Sequence, residues 1–333
     1  MEFLIGYKGK TTLANRKLNM NQSHIVVFGS LNMDLVANTS ELPLAGETIT
    51  GESFAMIPGG KGANQAIAVS RLGFPCRMVG RIGNDSFGET LLRSMRENQV
   101  DTTGIFVDES AHTGVAVITV NRSGENQIIV IPEANGNLDE TDLDRLRPHL
   151  EGAAFLLMQL EIPLATIEAA AELATEMGVK VILDPAPAQA LPFTLYRNLS
   201  IITPNALEAE KLVGFPVTDT DSAQQAATYL QEQGVETVMI TLGQQGVYCV
   251  NREESFFVPG FDIEPIIDTV AAGDAFNGGL AVALCNGMNL QRSIICGSAA
   301  GALTVTRAGA QSALPDQESL SAFLGERVGW KEL

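Results

Sequence analysis

Cysteine and histidine are scarce in this 333-residue chain. Its four cysteines (Cys76, Cys249, Cys285, Cys296) form no CxxC pair, and only His24, His112 and His149 stand beside them. That argues against a zinc site, and four scattered thiols fit a reducing, cytoplasmic compartment. Positive charge is short as well: 21 Lys and Arg face 39 Asp and Glu, a net charge of −18 with a pI near 4.5. Neither nucleic acid nor an anionic membrane is therefore an expected partner. An anionic small ligand stays open, because a helix terminus or a bound Mg²⁺ overrides the global sign locally. Long apolar runs are missing too. Stretches such as Phe155-Leu-Leu-Met158 are far too short to span a bilayer.

Two phosphate-binding fingerprints are also absent. No G-x-G-x-x-G follows the first apolar run, which disfavours a dehydrogenase. The pair Gly60-Lys61 lacks the Walker A glycine, since position 55 is Ala, and Gly62 stands where the Mg²⁺-binding hydroxyl would be. At the N-terminus, Lys8, Lys10, Arg16 and Lys17 face one acid, Glu2, with no apolar signal-peptide core. Residues 1–22 read as a disordered extension, with a start at Met20 as an alternative, ahead of one domain over 23–330.

What is present is an alternation. Ile25-Val-Val-Phe28, Phe155-Leu-Leu-Met158, Val181-Ile-Leu183, Ile201-Ile202 and Val238-Met-Ile240 read as strands buried on both faces. Between them Ala63–Leu72, Ser86–Asn98, Leu164–Met177 and Ser222–Gln233 carry helical spacing. That predicts an α/β fold: a doubly wound, mostly parallel central sheet with helices on both faces. Residues 34–57 and 113–132 break the rhythm and read as strands without helices. They are expected to form a small β-sheet lid inserted into the domain; an antiparallel extension of the main sheet is the alternative.

Six segments carry chemistry. In Asp268-Thr-Val-Ala-Ala-Gly-Asp-Ala-Phe-Asn-Gly-Gly279, Asp274 follows a turn of small residues at a helix start. The backbone N–H groups of Ala271, Ala272, Gly273 and Asp274 are then free to bind an anion, and a carboxylate beside an anion site suits phosphoryl transfer to a hydroxyl. Asp274 as a plain N-cap is the other reading. Gly59-Gly-Lys-Gly-Ala-Asn-Gln-Ala66 lets backbone approach a ligand closely, or is only a tight turn with a solvated Lys61. Asn32 and Asp34 alternate onto one face after the first strand, where parallel sheets bind ligands, and suit the hydroxyls of a polyol. An Asp buried there needs either a ligand or a structural donor to serve it. Glu161 ends another strand and reaches the same region, or is a surface carboxylate. Asn205 and Glu208 fall three apart, as water-bridged Mg²⁺ ligands or as a capping box. Thr241-Leu-Gly-Gln-Gln-Gly246 is a glycine turn fit to wrap nucleotide phosphates. Phe54 and Met56 are faint hints of a stacking surface.

This series of motifs, with Met158-Gln-Leu-Glu161, Asp184-Pro-Ala-Pro187 and Thr203-Pro-Asn205 in the same order, resembles the ribokinase (PfkB) family of sugar kinases over about residues 24–325. The resemblance implies an ATP-dependent kinase of the 5-hydroxyl of D-ribose, with Asp274 as base and the backbone of Ala271, Ala272 and Gly273 as anion hole. It implies that Asn32, Asp34, Gly60, Lys61, Asn64 and Glu161 contact the sugar. Asn205, Thr241, Gly243, Gly246 and Gly273 would contact ATP, and Glu208 would hold Mg²⁺ through water. It further implies K⁺ at Asp268, the carbonyl of Val270 and Gly309, and a homodimer through the lid sheets. The chain departs at Ala206, where Asn-Glu is common, and at Ser312-Ala313, where Pro-Ser is usual. The same resemblance leaves 2-deoxyribose, fructose or a nucleoside as alternative acceptors, and a non-catalytic sugar-binding protein as a different class.

Overall fold

The computed structural model describes residues 23–327; the expected 1–22 extension, the start at Met20 and the last residues of the expected 23–330 domain lie outside them. Nine strands form the main sheet: β1 (His24–Phe28), β4 (Cys76–Gly83), β5 (Asp101–Asp108), β8 (Ala153–Gln159), β9 (Lys180–Asp184), β10 (Ile201–Ile202), β11 (Thr237–Thr241), β12 (Gly246–Asn251) and β13 (Ser255–Pro259). Their order is β13-β12-β11-β10-β9-β8-β1-β4-β5. All neighbours run parallel except the β11-β12-β13 edge, which is antiparallel. The five apolar runs singled out in the sequence are β1, β8, β9, β10 and β11, the middle of this sheet.

Strand β1 shows why. Val26 and Phe28 face one hydrophobic cluster and Ile25 and Val27 the other, all at 0% exposure. Against the first face pack α3 (Glu140–Leu150), α4 (Leu164–Glu176), the short α5 (Phe193–Tyr196), α6 (Ala206–Val213) and α7 (Thr220–Glu232). Against the second pack α1 (Lys61–Arg71), α2 (Ser86–Glu97), α8 (Ala272–Cys285) and α9 (Leu290–Thr304), with α10 (Gln317–Arg327) outside α9. The chain leaves β1 toward β4 on one side and later returns through β8 on the other. This reversal of strand order opens a crevice beyond the carboxyl ends of β1 and β8, where open α/β sheets bind ligands.

A second sheet of four strands stands over that crevice: β3 (Ser53–Gly59), β2 (Asn32–Asn38), β6 (Gly114–Val120) and β7 (Asn126–Ile131), in that order. It is separate from the main sheet, so the edge-extension reading is set aside. One boundary differs from the sequence-based expectation. β1 stops at Phe28, and Asn32 and Asp34 already belong to β2, the first strand of the small sheet.

Candidate active site

Two helices enter the crevice by their N-termini. α1 begins after Gly60, whose φ of 89° is left-handed; a Cβ there would lie 2.6 Å from the backbone nitrogen of Asn32. Only glycine lets the helix start this close to β2. α8 begins after Ala271, which takes the left-handed φ of 61°, an uncommon state for a residue with a Cβ. The turn leaves the N–H groups of Ala271, Gly273 and Asp274 without an acceptor among the described residues. That of Ala272 reaches Thr269 O at 3.4 Å. The expectation of four free N–H groups is corrected by that one.

Asp274 is the third residue of α8 and caps nothing. Its Oδ2 accepts from Asn64 Nδ2 at 2.9 Å and its Oδ1 from Gln65 Nε2 at 3.2 Å, and it is 3% exposed. The N-cap reading is therefore set aside. Burial raises its pKa, opposed by the charge of Lys61 and by the two amide hydrogen bonds.

The small sheet and the two helix starts enclose a cavity of about 350 Å³. Asn32, Asp34, Gly60, Lys61, Asn64, Glu161 and Asp274 all line it, under Ala116, Ile118, Ile128 and Val130 of the small sheet. Glu161 is no idle surface carboxylate: its Oε2 accepts from Ser30 Oγ at 2.5 Å, from the Lys61 backbone N–H at 3.1 Å and from Asn32 Nδ2 at 3.4 Å. Asp34 is the opposite case, because no donor among the described residues serves it. Burial, then the charges of Glu161 and Asp274, push its pKa up to about 7. Asn64 Oδ1 is buried without a partner. A pocket that leaves a carboxylate and a buried amide oxygen unserved is one that expects hydroxyl donors from a ligand.

Lys61 is the only cation lining this cavity, against Asp34, Glu161, Asp184, Glu208 and Asp274. It forms no salt bridge among the described residues. Burial works against its ammonium, but the charges of Asp274, Asp184, Glu161 and Glu208 outweigh it and raise its pKa. Asp184, at the end of β9, was quoted in a motif without a role. It is 5% exposed and its pKa is raised, first by burial.

A second cavity of about 550 Å³ adjoins the first, sharing Thr241, Thr269, Ala272, Gly273 and Phe276. Gly243 and Gly246 line it, with Leu242, Val247, Phe261, Ile263 and Val305 giving it an apolar wall. The N-terminus of α8 thus stands between a polar cavity and an apolar one. Asn205 and Glu208 form the reciprocal capping box of α6: Glu208 N–H donates to Asn205 Oδ1 at 2.9 Å, and Asn205 N–H to Glu208 Oε2 at 2.8 Å. Glu208 nevertheless faces the polar cavity, with Oε1 free of partners. Among the described residues no group of three or more acidic, His or Cys side chains is placed to hold a metal. The donor set suits an ion held by one carboxylate, water and phosphate oxygens, the usual manner of Mg²⁺.

Asp268 ties two loops together, its Oδ1 accepting from Val270 N–H and its Oδ2 from Gly309 N–H, both at 3.0 Å. Ser312 does not join them; its hydroxyl donates to Ala308 O at 3.2 Å. Phe54 and Met56 pair with Ala37 and Leu35 in the register that puts Asp34 opposite Ile57. They therefore lie on the face of the small sheet away from the pocket, and the hint of a stacking surface is corrected.

Comparison with known proteins agrees with this geometry. The sequence profile of the pfkB family carbohydrate kinases matches residues 22–317, and the chain belongs to that family. It is 42% identical over 300 residues to a ribokinase of Haemophilus influenzae, covering 90% of this chain and 98% of that protein. A deoxyribokinase of Salmonella typhi is 33% identical over 301 residues, 90% of this chain and 98% of that one. Among solved structures, Arabidopsis thaliana ribokinase complexed with ribose and ATP superposes with a TM-score of 0.84 at 30% identity, covering 91% of this chain and 98% of the other.

Proposed function

We propose that this chain is a ribokinase, transferring the γ-phosphoryl group of ATP to the 5-hydroxyl of D-ribose. The observation that carries the reading is the position of Asp274: a buried carboxylate at the start of α8, between a polar cavity and an apolar one. Ribose occupies the polar cavity, held by Asn32, Asp34, Gly60, Lys61, Asn64 and Glu161. ATP occupies the other, its phosphates against Thr241, Gly243, Gly246, Gly273 and Asn205. The hydroxyl proton passes to Asp274 as the oxygen attacks phosphorus, and ADP leaves on the far side. The free N–H groups at Ala271 and Gly273, with the α8 dipole and the weakly held N–H of Ala272, bear the charge on the moving group. Mg²⁺, held through water at Glu208, supplies neutralisation of phosphate charge when bound.

The preference for a sugar over a nucleoside rests on the polar ring and on the small-sheet residues that line the cavity above it, Ala116, Ile118, Ile128 and Val130, none of them aromatic. The deoxyribokinase relative makes 2-deoxyribose the second acceptor to test. ADP release from MgATP is expected with ribose and to exceed that with 2-deoxyribose, fructose and adenosine. A preference for another acceptor would keep the roles at α8 and discard the sugar assignment.

Three finer readings accompany this one. K⁺ binds at Asp268, the Val270 carbonyl and Gly309, supported by the way Asp268 draws those two loops together. Turnover is expected to rise with K⁺, and equal rates in K⁺ and in a tetramethylammonium salt would discard the ion site. The chain is a homodimer through the small sheets, supported by exposed Phe54, Met56 and Ile129 beside the open edges β3 and β7; sedimentation as a monomer at micromolar concentration would remove it. The cytoplasm is the proposed compartment, in keeping with four free thiols, of which Cys76, Cys249 and Cys296 are buried. No described helix is long and apolar enough to cross a membrane.

Asp34 gives sugar binding a pH dependence. Its pKa is pushed up to about 7 by burial and by the charges of Glu161 and Asp274, and the ionised form is the stronger acceptor for ribose hydroxyls. Binding is therefore expected to tighten as pH rises through 7, to level off above it, and to release a proton. Calorimetry at neutral pH in two buffers of different ionisation enthalpy measures that proton; identical heats would show that Asp34 does not titrate with binding.

A further inference from the structure

Behind the pocket wall lie two buried amides that the reaction does not obviously need. Gln65 and Gln159 are 1% and 0% exposed, and neither lines the cavity. Gln159, the last residue of β8, donates from Nε2 to Gln65 Oε1 at 2.6 Å. Gln65 then donates from its own Nε2 to Asp184 Oδ2 at 2.9 Å and to Asp274 Oδ1 at 3.2 Å. The chain of bonds starts at a neutral amide and ends on two carboxylates.

The orientation of each amide follows from this order. Turning a glutamine amide over keeps its shape and exchanges donor for acceptor. A turned Gln65 would aim its oxygen at two carboxylate oxygens, and its nitrogen at the nitrogen of Gln159. Gln159 makes its donation at a cost: its Oε1 is buried with no partner, which a purely space-filling role would not require. The amide also demands room that only glycine leaves, since a Cβ at position 29 would come within 2.1 Å of Gln159 Oε1.

We infer that Gln159 and Gln65 form a positioning relay for the base. Gln159 fixes which way Gln65 faces, and Gln65, together with Asn64, fixes the plane of the Asp274 carboxylate and favours its ionised form. Neither glutamine touches substrate. The inference rests on the kinase reading and deepens it. The charged groups around Asp274 are Lys61 of α1, Asp34 of β2, Glu161 after β8, Asp184 of β9 and Glu208 of α6. Lys61 and Gln65 oppose the burial and repulsion that would keep a proton on Asp274.

The test compares Gln159→Glu with Gln159→Met and Gln65→Met in the full chain. Once ionised, which burial shifts to higher pH, a carboxylate at 159 repels Gln65 Oε1 and turns the amide over, so the variants are compared on the alkaline side; Met leaves Gln65 free to keep its bonds. Gln159→Glu is expected to lower kcat by at least about 10-fold, and Gln159→Met by much less, with KM for ribose near the parent value. In Gln65→Met the acid limb of kcat moves up by roughly one pH unit, as loss of a bond to the charged form requires. A parent-like kcat in Gln159→Glu, or an unmoved acid limb in Gln65→Met, overturns the relay. One arm needs no turnover: the side-chain amide NMR signals of Gln65 in the ligand-free protein. They are expected to move in both Asp274→Asn and Gln159→Glu; signals indifferent to both overturn the relay. If the parent enzyme shows no turnover with ribose, 2-deoxyribose, fructose or adenosine, the kinase reading fails while this arm still decides the relay.

Discussion

Asp274→Asn is expected to remove nearly all turnover while ribose still binds. Loss of a positioned base costs roughly 10²–10⁴-fold in rate, and this site pushes the effect toward the upper end. A carboxylate offers acceptors on both oxygens, and here both are used: Asn64 donates to one and Gln65 to the other. An amide of the same shape has one acceptor and one NH₂. Whichever way it turns, a donor faces a donor, so the substitution removes the base and disturbs its setting together. The sugar contacts proposed at Asn32, Asp34 and Glu161 share no hydrogen bond with that carboxylate, and affinity is expected to change by no more than a few fold. Calorimetric titration with ribose and steady-state ADP release, on protein whose melting matches the parent, separate the two effects. Turnover within about threefold of the parent would take Asp274 out of the base role. The parent rate is also expected to fall on the acid side, since the proton that burial helps to hold on Asp274 must be absent if that carboxylate is to take the hydroxyl's proton.

How far the sequence could lead to this point differs from element to element. β1, β8, β9, β10 and β11 were legible because a strand buried on both faces is an unbroken apolar run. β4 was not, because Arg77, Gly80 and Arg81 interrupt its run. Arg81 is tolerated inside only because Asp108, Asp139 and Asp142, drawn from β5 and the start of α3, surround its guanidinium. Partners that far apart in sequence leave no local trace. The β12-β13 edge was missed for a related reason: its strands follow β11 without a helix between them, so the alternating rhythm gave no cue to an antiparallel return.

The site divides in the same way. Asn32, Asp34, Lys61, Asn64, Glu161 and Asp274 were singled out from turns, strand ends and the family resemblance, and the fold brings all of them to one cavity. Gln65 and Gln159 carry no charge; one lies in α1 and the other at the last position of β8, each within a motif of the family resemblance but with no role read for it. Nothing in their own residue types marks them, and only the crossing of α1 behind β8 and β9 turns them into partners. Asp184 left a signal, a carboxylate followed by proline at a strand end, but its meaning depends on Lys61 and Gln65 reaching it from another helix.

That same balance of charge sets the second large effect, at Lys61. Five carboxylates line the polar cavity and one ammonium answers them. Among the acids, burial raises the pKa of Asp34, Asp184, Glu208 and Asp274, and the charge of Lys61 works against that rise at Asp184, Glu208 and Asp274. Lys61→Met keeps the length and apolar stem of the side chain and removes the charge. The proton affinity of Asp274 then rises, and each pH unit of rise costs about tenfold in ionised base at a pH well below the new pKa. The loss of turnover is therefore expected to be greatest on the acid side of the parent's own limb. The loss is expected to shrink as the assay is taken to higher pH, because alkali restores the ionised base without the lysine. That recovery distinguishes charge from contact. If Lys61 acts only by holding the sugar, KM rises and kcat keeps its parent pH profile. If it acts by keeping Asp274 ionised, the acid limb of kcat moves to higher pH while KM changes less. The ammonium has no salt-bridge partner within the described protein, so its removal strands no paired carboxylate. A variant that folds and melts like the parent, yet needs alkali to turn over, would place the site's one cation in charge of its base.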